Sequence, residues 1–300
     1  MFRLFLVRFI EELWYRPRFY HYILIIFLLP ISLLYTFLMY IRRLIAKKER
    51  FKIPIISIGN LIVGGSGKSP FIIEVASRYR DVAIISRGYG RKSRGTVVIK
   101  KDSDVEISGD EALMIANALP NAMMIVSENR KDGIKKAIKL GAKVIFLDDG
   151  FNRVDIDKLD IILQPKFIKN FFTLPAGAFR EYYNTPADIK LVEDIDYQRI
   201  VTIDNLTSSM ILITAIANPS RLDKFLPKEV EKKVYFQDHQ FFDKDEILSL
   251  SQNYKSILVT SKDLVKLNGL DINISIMRLK IDIDREVLDR IDSYIKDYKG

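Results

Sequence analysis

Residues 54–79 leave this chain few ways to fold. The run Pro54-Ile55-Ile56-Ser57-Ile58 is short and apolar and stops at Gly59-Asn60. Glycines stand at 64, 65 and 67, and Lys68-Ser69 then opens a stretch carrying Ile72, Ile73 and Val75 toward Tyr79. A buried strand, a glycine turn and a helix in that order form a phosphate loop, whose backbone N–H groups and helix start face an anion. The pattern assigns Gly64, Gly65, Ser66, Gly67, Lys68 and Ser69 to nucleotide phosphates. The glycines let the backbone approach, Lys68 reaches the β- and γ-phosphates, and the Ser69 hydroxyl serves Mg²⁺. The common spacing G-x-x-x-x-G-K-[ST] would put a glycine at position 62, where this chain has Ile62.

Further apolar runs at Val82–Ser86, Met123–Val126 and Val144–Leu147 alternate with helical patterns at Asp110–Leu119 and Arg130–Leu140. Such alternation predicts a parallel sheet with helices on both faces. The last run ends in Asp148-Asp149-Gly150, where a Walker-B carboxylate would organise Mg²⁺, so Asp148 and Asp149 join Ser69 as expected metal ligands. Residues 49–195 therefore read as an α/β/α domain of the P-loop NTPase type that binds ATP. Residues 196–300 read as a second, smaller α/β domain. Its strands fall near Ile200–Ile203, Ile211–Ile216 and Ile257–Thr260, a helix opens at Asn218-Pro219-Ser220, and another runs from about Arg285 to Tyr298.

Residues 1–48 have a different character. No Lys, Arg, Asp or Glu lies between Arg18 and Arg42. As a helix, residues 19–41 span about 35 Å at ~1.5 Å per residue, enough for a hydrocarbon core of roughly 30 Å. The segment ends in Arg42, Arg43, Lys47 and Lys48 rather than in small residues, so an uncleaved membrane anchor is expected. The same basic residues place the rest of the chain on the cytoplasmic side. Ahead of the anchor, Phe2, Phe5, Phe9, Leu13 and Trp14 oppose Arg3, Arg8, Glu11 and Glu12, as in an interfacial helix. Pro30 leaves two arrangements open, a crossing and a re-entrant path within one leaflet.

The chain has no cysteine, which removes disulfides, thiolate zinc sites and a Cys nucleophile. Its formal charge of +9 calls for an anionic partner. Many of the basic residues sit beside the apolar segment, where anionic lipid accounts for them, and no stacking platform is visible, so nucleic acid is not expected. Of the two histidines, His21 lies in the apolar segment, and a cytoplasmic imidazole must therefore be His239. On pattern alone, Asp110 and Glu111 are acidic residues in a helix's first turn.

Several short motifs follow one another in a definite order. Gly59-Asn60 precedes Gly64-Gly65-Ser66-Gly67-Lys68-Ser69-Pro70, and Ser86-Arg87-Gly88-Tyr89 and Gly109-Asp110-Glu111 come next. Leu147-Asp148-Asp149-Gly150-Phe151, Pro175-Ala176-Gly177 with Arg180-Glu181, Asp238-His239, and Thr260 with Lys262-Asp263 complete the set. In this order, from about Pro54 to Asp263, they resemble the tetraacyldisaccharide 4′-kinase family of lipid A biosynthesis, which also tolerates a non-glycine at the place of Ile62. The resemblance implies transfer of the ATP γ-phosphoryl group to the 4′-hydroxyl of tetraacyldisaccharide 1-phosphate, giving lipid IVA. It further implies Mg²⁺, the cytoplasmic face of the bacterial inner membrane, and two α/β/α domains joined by a short β linker and closing on the nucleotide.

Carried over by position, the resemblance makes Asp110 the catalytic carboxylate and His239 its partner, with Lys68 acting on the transferred phosphate. A sugar hydroxyl is a poor nucleophile at neutral pH, so a carboxylate that accepts its proton suits the chemistry. Arg87, Tyr89, Arg130, Arg180 and Glu181 are the expected contacts to the disaccharide phosphate or headgroup. Where the family reads Asp-Asp-Gly-Phe-Gln-His, this chain ends the motif with Asn152-Arg153. The alternative is a membrane-anchored P-loop ATPase or GTPase switch, which has no need of Asp110 with His239.

Overall fold

The computed structural model describes residues 2–63, 67–216, 219–267 and 269–300. Two helices open the chain, α1 (Phe2–Tyr15) and α2 (His21–Ile45). A first sheet comprises β1 (Ile55–Gly59), β2 (Val82–Ser86), β3 (Val97–Ile99), β4 (Met123–Val126), β5 (Val144–Asp148), β6 (Leu159–Gln164) and β7 (Ile189–Val192). Its order is β3-β4-β2-β5-β1-β6-β7, and only the edge strand β3 runs antiparallel to its neighbour. The helices between these strands are α3 (Lys68–Ala76), α4 (Val105–Ser108), α5 (Asp110–Ala118) and α6 (Arg130–Lys139).

Parallel strands buried on both faces read as continuous apolar runs, and here each run splits between two cores. Ile56, Ile58, Ile84 and Phe146 face α3 and α5. Ile55, Ala83, Ile85 and Ile145 face α6 through Ile134 and Ala137. The expected parallel α/β/α layering is therefore present.

A second sheet holds β8 (Tyr197–Asp204), β9 (Met210–Thr214), β10 (Val230–Tyr235), β11 (Ser256–Thr260) and β12 (Ile274–Ile283), in the order β10-β9-β11-β12-β8. Helix α7 (Lys244–Ser251) covers one face through Ile247. A 3₁₀ helix, Pro219–Phe225, covers the other through Leu222 and Phe225. This 3₁₀ helix stands where a helix was expected to open, and Asn218 lies outside the described residues. Helix α8 (Ser261–Leu264) follows β11 directly, and α9 (Arg285–Asp297) closes the chain.

Two features join the sheets. The antiparallel ribbon of β8 and β12 reaches from one core to the other, with Tyr197, Ile281 and Ile283 in the first and Met277 in the second. The second feature is α9, which falls within residues 196–300, expected to form the smaller domain, and packs on the first sheet. Val287 and Ile291 enter the core beside Phe71 and Ile72, and Arg78 pairs with Asp292 at 3.1 Å. Val287, Leu288, Ile291, Tyr294 and Ile295 make an apolar stripe at helical spacing that must be covered, and the flank of α3 covers it.

Helix α2 lies along the body of the protein. Ser32 Oγ donates to Thr173 O and accepts from Ala176 N, both at 3.0 Å. Tyr35 donates to Arg180 O at 2.8 Å, Arg42 to Asn152 O, and Arg43 pairs with Glu181. The opposite face exposes Ile23, Ile26, Phe27, Ile31, Leu34 and Phe37. The loop that receives α2 turns tightly at Gly177, where an added Cβ would meet Phe172 O at 2.2 Å. Gly177→Ala is therefore expected to cost about 1–3 kcal/mol, measured by urea unfolding in detergent. An unchanged midpoint would mean that the loop relaxes freely.

Candidate active site

Parallel strands bring their carboxyl ends to one edge of the sheet, where α/β proteins bind ligands. At this edge β1 delivers Asn60, β5 delivers Asp148 and Asp149, and α3 begins with Lys68 and Ser69. Gly67, just before α3, has φ +78°, a conformation open to glycine. The Lys68 ammonium lies 3.3 Å from Asn60 Oδ1 and 3.6 Å from Asp149 Oδ1. Arg180 Nη1 donates to Asp149 Oδ2 at 2.9 Å. Burial acts to raise the Asp149 carboxyl, but Lys68 and Arg180 outweigh it and hold the group below its ordinary value. Gly64, Gly65 and Ser66, expected to cradle the phosphates, lie outside the described residues.

Asp148 is different. It is buried, and its Oδ1 has no hydrogen-bond partner among the described residues. Burial first, then the nearby carboxylates of Glu111 and Asp149, push it up to about 7 against the pull of Lys68 and Arg130. An orphaned buried carboxylate oxygen at the strand end, near the start of the helix that carries Ser69, fits a hard divalent cation. Among the described residues no three acidic, His or Cys side chains stand close enough to hold a metal alone. That suits Mg²⁺, which keeps water and phosphate oxygens in its shell. Asp149, expected as a second ligand, has both oxygens engaged by cations.

The carboxylate that opens α5 is also buried. Asp110 sits where Gly109, at φ +79°, turns the chain so closely that an added Cβ would meet Tyr89 O at 2.9 Å. Its two oxygens lie 2.9 and 3.0 Å from His239 Nδ1. The backbone N–H of His239 donates to Ala215 O at 3.2 Å, and the Tyr89 ring lies against the imidazole at 4.8 Å. Lys262 and Lys266 bring ammonium groups to 3.8 and 3.3 Å of Asp110 Oδ2. Burial would raise Asp110, yet His239 and the two lysines bring it down to about 2. Lys262 also meets Glu111 at 3.1 Å and Asp238 at 3.5 Å, and these carboxylates keep its ammonium charged against the effect of burial. Asp110 opens α5 on the first sheet, while its imidazole and lysine partners come from the loop after β10, from α8 and from the turn after it on the second, so the constellation spans the two.

The expected substrate contacts divide. Arg87 and Tyr89 are exposed at the rim of a groove of about 370 Å³ that also takes in Lys92 and Arg94. Arg180 lines a second cavity of about 210 Å³ with Tyr35 and Met39 of α2, Asn60 and Phe151, which links the apolar helix to the Lys68 site. Two expectations need correction. Arg130 is buried and donates to Ser127 O at 2.6 Å and Asp148 O at 3.2 Å, so it braces the sheet edge; burial lowers it to about 10. Glu181 is buried against Arg43 and fastens α2. Arg153, at the departure from the family motif, pairs with Asp155 at 3.0 Å.

In the sequence Glu111 and Lys262 stand within motifs without a role of their own, and Lys266 falls outside every motif. Glu111 had a sufficient explanation as a first-turn acid, and nothing in a lone lysine after a short helix announces that it is buried. The Lys262-Asp263 pair within an ordered motif was the one available signal.

Comparison with known proteins bears on this geometry. The family model described as tetraacyldisaccharide-1-P 4′-kinase matches residues 24–199 and 202–296. A tetraacyldisaccharide 4′-kinase of Helicobacter pylori (strain HPAG1) is 49% identical over 299 residues, covering 97% of this chain and 96% of that protein. The protein of the same name from Aliarcobacter butzleri is 45% identical over 307 residues, covering 97% and 98%. One from Campylobacter jejuni (strain ATCC 700819 / NCTC 11168) is 37% identical over 302 residues, covering 96% and 97%. The crystal structure of LpxK from Aquifex aeolicus in complex with ATP superposes with a TM-score of 0.72 at 26% identity, covering 91% of this chain and 99% of that one.

Proposed function

The chain belongs to the tetraacyldisaccharide-1-P 4′-kinase family, and on that premise we propose how its side chains divide the reaction. The enzyme transfers the γ-phosphoryl group of ATP to the 4′-hydroxyl of tetraacyldisaccharide 1-phosphate, forming lipid IVA in lipid A biosynthesis. In the transfer a bond forms from the 4′-oxygen to the γ-phosphorus, the bond from that phosphorus to the β,γ-bridging oxygen breaks, and ADP leaves. The proton of the 4′-hydroxyl passes to the Asp110–His239 pair, which accepts it as the nucleophile attacks. Lys68 turns toward the β- and γ-phosphates, and Arg180 keeps Asp149 from drawing it away. Most of the remaining catalysis is positioning and charge neutralisation. A Mg²⁺ ion held by Asp148 and the Ser69 hydroxyl would supply further neutralisation of phosphate charge.

The observation that carries this reading is the Asp110–His239 pair, with the carboxylate buried and the imidazole supplied from the second sheet. A nucleotide switch without an acceptor has no use for it, and that reading is not favoured. Incubation of the protein in detergent micelles with Mg²⁺, γ-labelled ATP and tetraacyldisaccharide 1-phosphate is expected to move label into the lipid. Release of free phosphate without labelled lipid would sink the kinase reading.

The same reading gives α2 a place. A helix fastened from Ser32 to Arg43 against the 151–181 region, with an apolar outer face, suits insertion into one leaflet more than a crossing. Phe167, Phe171, Phe172, Tyr182 and Tyr183 are exposed on the adjoining loop and fit the membrane interface. Arg42 and Arg43 at the end of α2 set the enzyme on the cytoplasmic face of the bacterial inner membrane. The cavity between α2 and β1 then leads from the bilayer to the phosphate site.

A further inference from the structure

Lys266, in the turn after α8, is a nearly inaccessible cation, with its side chain 1% exposed. Its ammonium lies 3.3 Å from Asp110 Oδ2 and 3.2 Å from Asp263 Oδ1, and its Nζ is 5.3 Å from the centre of the Phe242 ring. Asp263 is fully buried and firmly held. Its Oδ2 accepts from Thr214 Oγ1 at 2.7 Å and Thr260 Oγ1 at 2.8 Å, and its Oδ1 accepts from Ala215 N at 3.2 Å. Ala215 is also the residue whose carbonyl receives the His239 N–H. One buried carboxylate thus fixes both the lysine and the segment that carries the histidine.

A charge pair this deep contributes little net stability, because desolvation of both ions offsets their attraction. Its placement against Asp110 therefore calls for a different account. We propose that Lys266, fixed by Asp263, is a positioning residue for phosphoryl transfer, holding the Asp110 carboxylate aligned with His239 when the second sheet meets the first. The inference rests on Asp110 being the catalytic carboxylate. Asp110 faces His239 from the loop after β10, and Lys262 and Lys266 from α8 and the turn after it. Lys262 is shared with Glu111 of α5 and with Asp238, and Tyr89 covers the imidazole. Lys262 therefore has other carboxylates to satisfy, whereas Lys266 is committed to Asp110 and Asp263.

The test follows the Asp110 carboxyl itself, by NMR titration of the full chain in detergent micelles with ¹³Cγ-labelled aspartate. The signal is assigned by its loss in Asp110→Asn. In Lys266→Met the Asp110 midpoint is expected to rise by about one to three pH units, the usual influence of one adjacent cation. Lys266→Arg should return it toward the wild-type position. The Met variant should also lose about tenfold or more in kcat with the ATP KM within about twofold of wild type. An unmoved midpoint in Lys266→Met, or a midpoint that Lys266→Arg fails to restore, overturns the proposal. If Lys266→Met does not fold, Lys266→Gln is read in the same way. A fully active Asp110→Asn would remove the catalytic reading itself, whereas an inactive Asp110→Asn with an unmoved midpoint in the lysine variant would remove only this inference.

Discussion

Asp110→Asn is expected to lower kcat for lipid phosphorylation by about 10²- to 10⁴-fold, the range that a positioned acid or base supplies. Asparagine keeps the size and the hydrogen bond to His239 but cannot accept a proton. The KM for ATP should change little, because Lys68, Asn60 and Asp149 hold the phosphate edge without Asp110. His239→Ala is expected to cost less, since Lys262 and Lys266 still orient the carboxylate. In the double variant the two losses should not multiply, because paired groups act as a unit. Single-turnover transfer of label from ATP to lipid reads all three variants. An Asp110→Asn enzyme within tenfold of wild type would mean that proton removal needs no carboxylate here. The carboxylate also links to stability. A group held at about 2 contributes stability above the ordinary Asp range near 4 and loses it as pH falls toward 2.

The parts of this molecule that were legible in its sequence are those where burial is complete. Ile55–Ile58, Val82–Ser86 and Val144–Leu147 stand out because a parallel strand covered on both faces admits no polar alternation. Strand β10 was hidden because Glu231, Lys232 and Lys233 are exposed on an edge. Strand β12 alternates buried and more exposed residues from Met277 to Ile283, a period-two signal. The apolar stripe of α9 says that the helix needs a partner but not which of two sheets supplies it. At the site, the motifs mark Asp110, His239 and Lys68, and the fold sets the first two against each other and the third against Asn60 and Asp149. Arg130 and Glu181 were assigned to substrate because a charged residue inside a motif looks the same whether it faces a cleft or braces a backbone. Only the three-dimensional packing separates these cases.

Asp148→Asn is the variant in which charge, metal and pH meet. Burial and the carboxylates of Glu111 and Asp149 raise Asp148 to about 7, so without a bound cation the group is largely protonated below that pH. Its folded value lies above its unfolded one, near 4. The stability it contributes is therefore fully present below about 4 and is lost as pH rises through about 7. The protein without Mg²⁺ is expected to melt at progressively lower temperature across that interval, and Asp148→Asn should flatten this dependence. Mg²⁺ requires the carboxylate form, so its apparent affinity in the presence of ATP should fall by about tenfold per pH unit below about 7. Removing the carboxylate should weaken Mg²⁺ by at least about 10- to 100-fold, the loss typical even for groups that only support a ligand. Melting curves from pH 4 to 8, with and without Mg²⁺ and ATP, test the whole linkage. If Asp148→Asn binds Mg²⁺ as tightly as wild type, with the same pH dependence, the orphaned oxygen at the end of β5 is not the metal's ligand and the cation must be held by other oxygens at this edge.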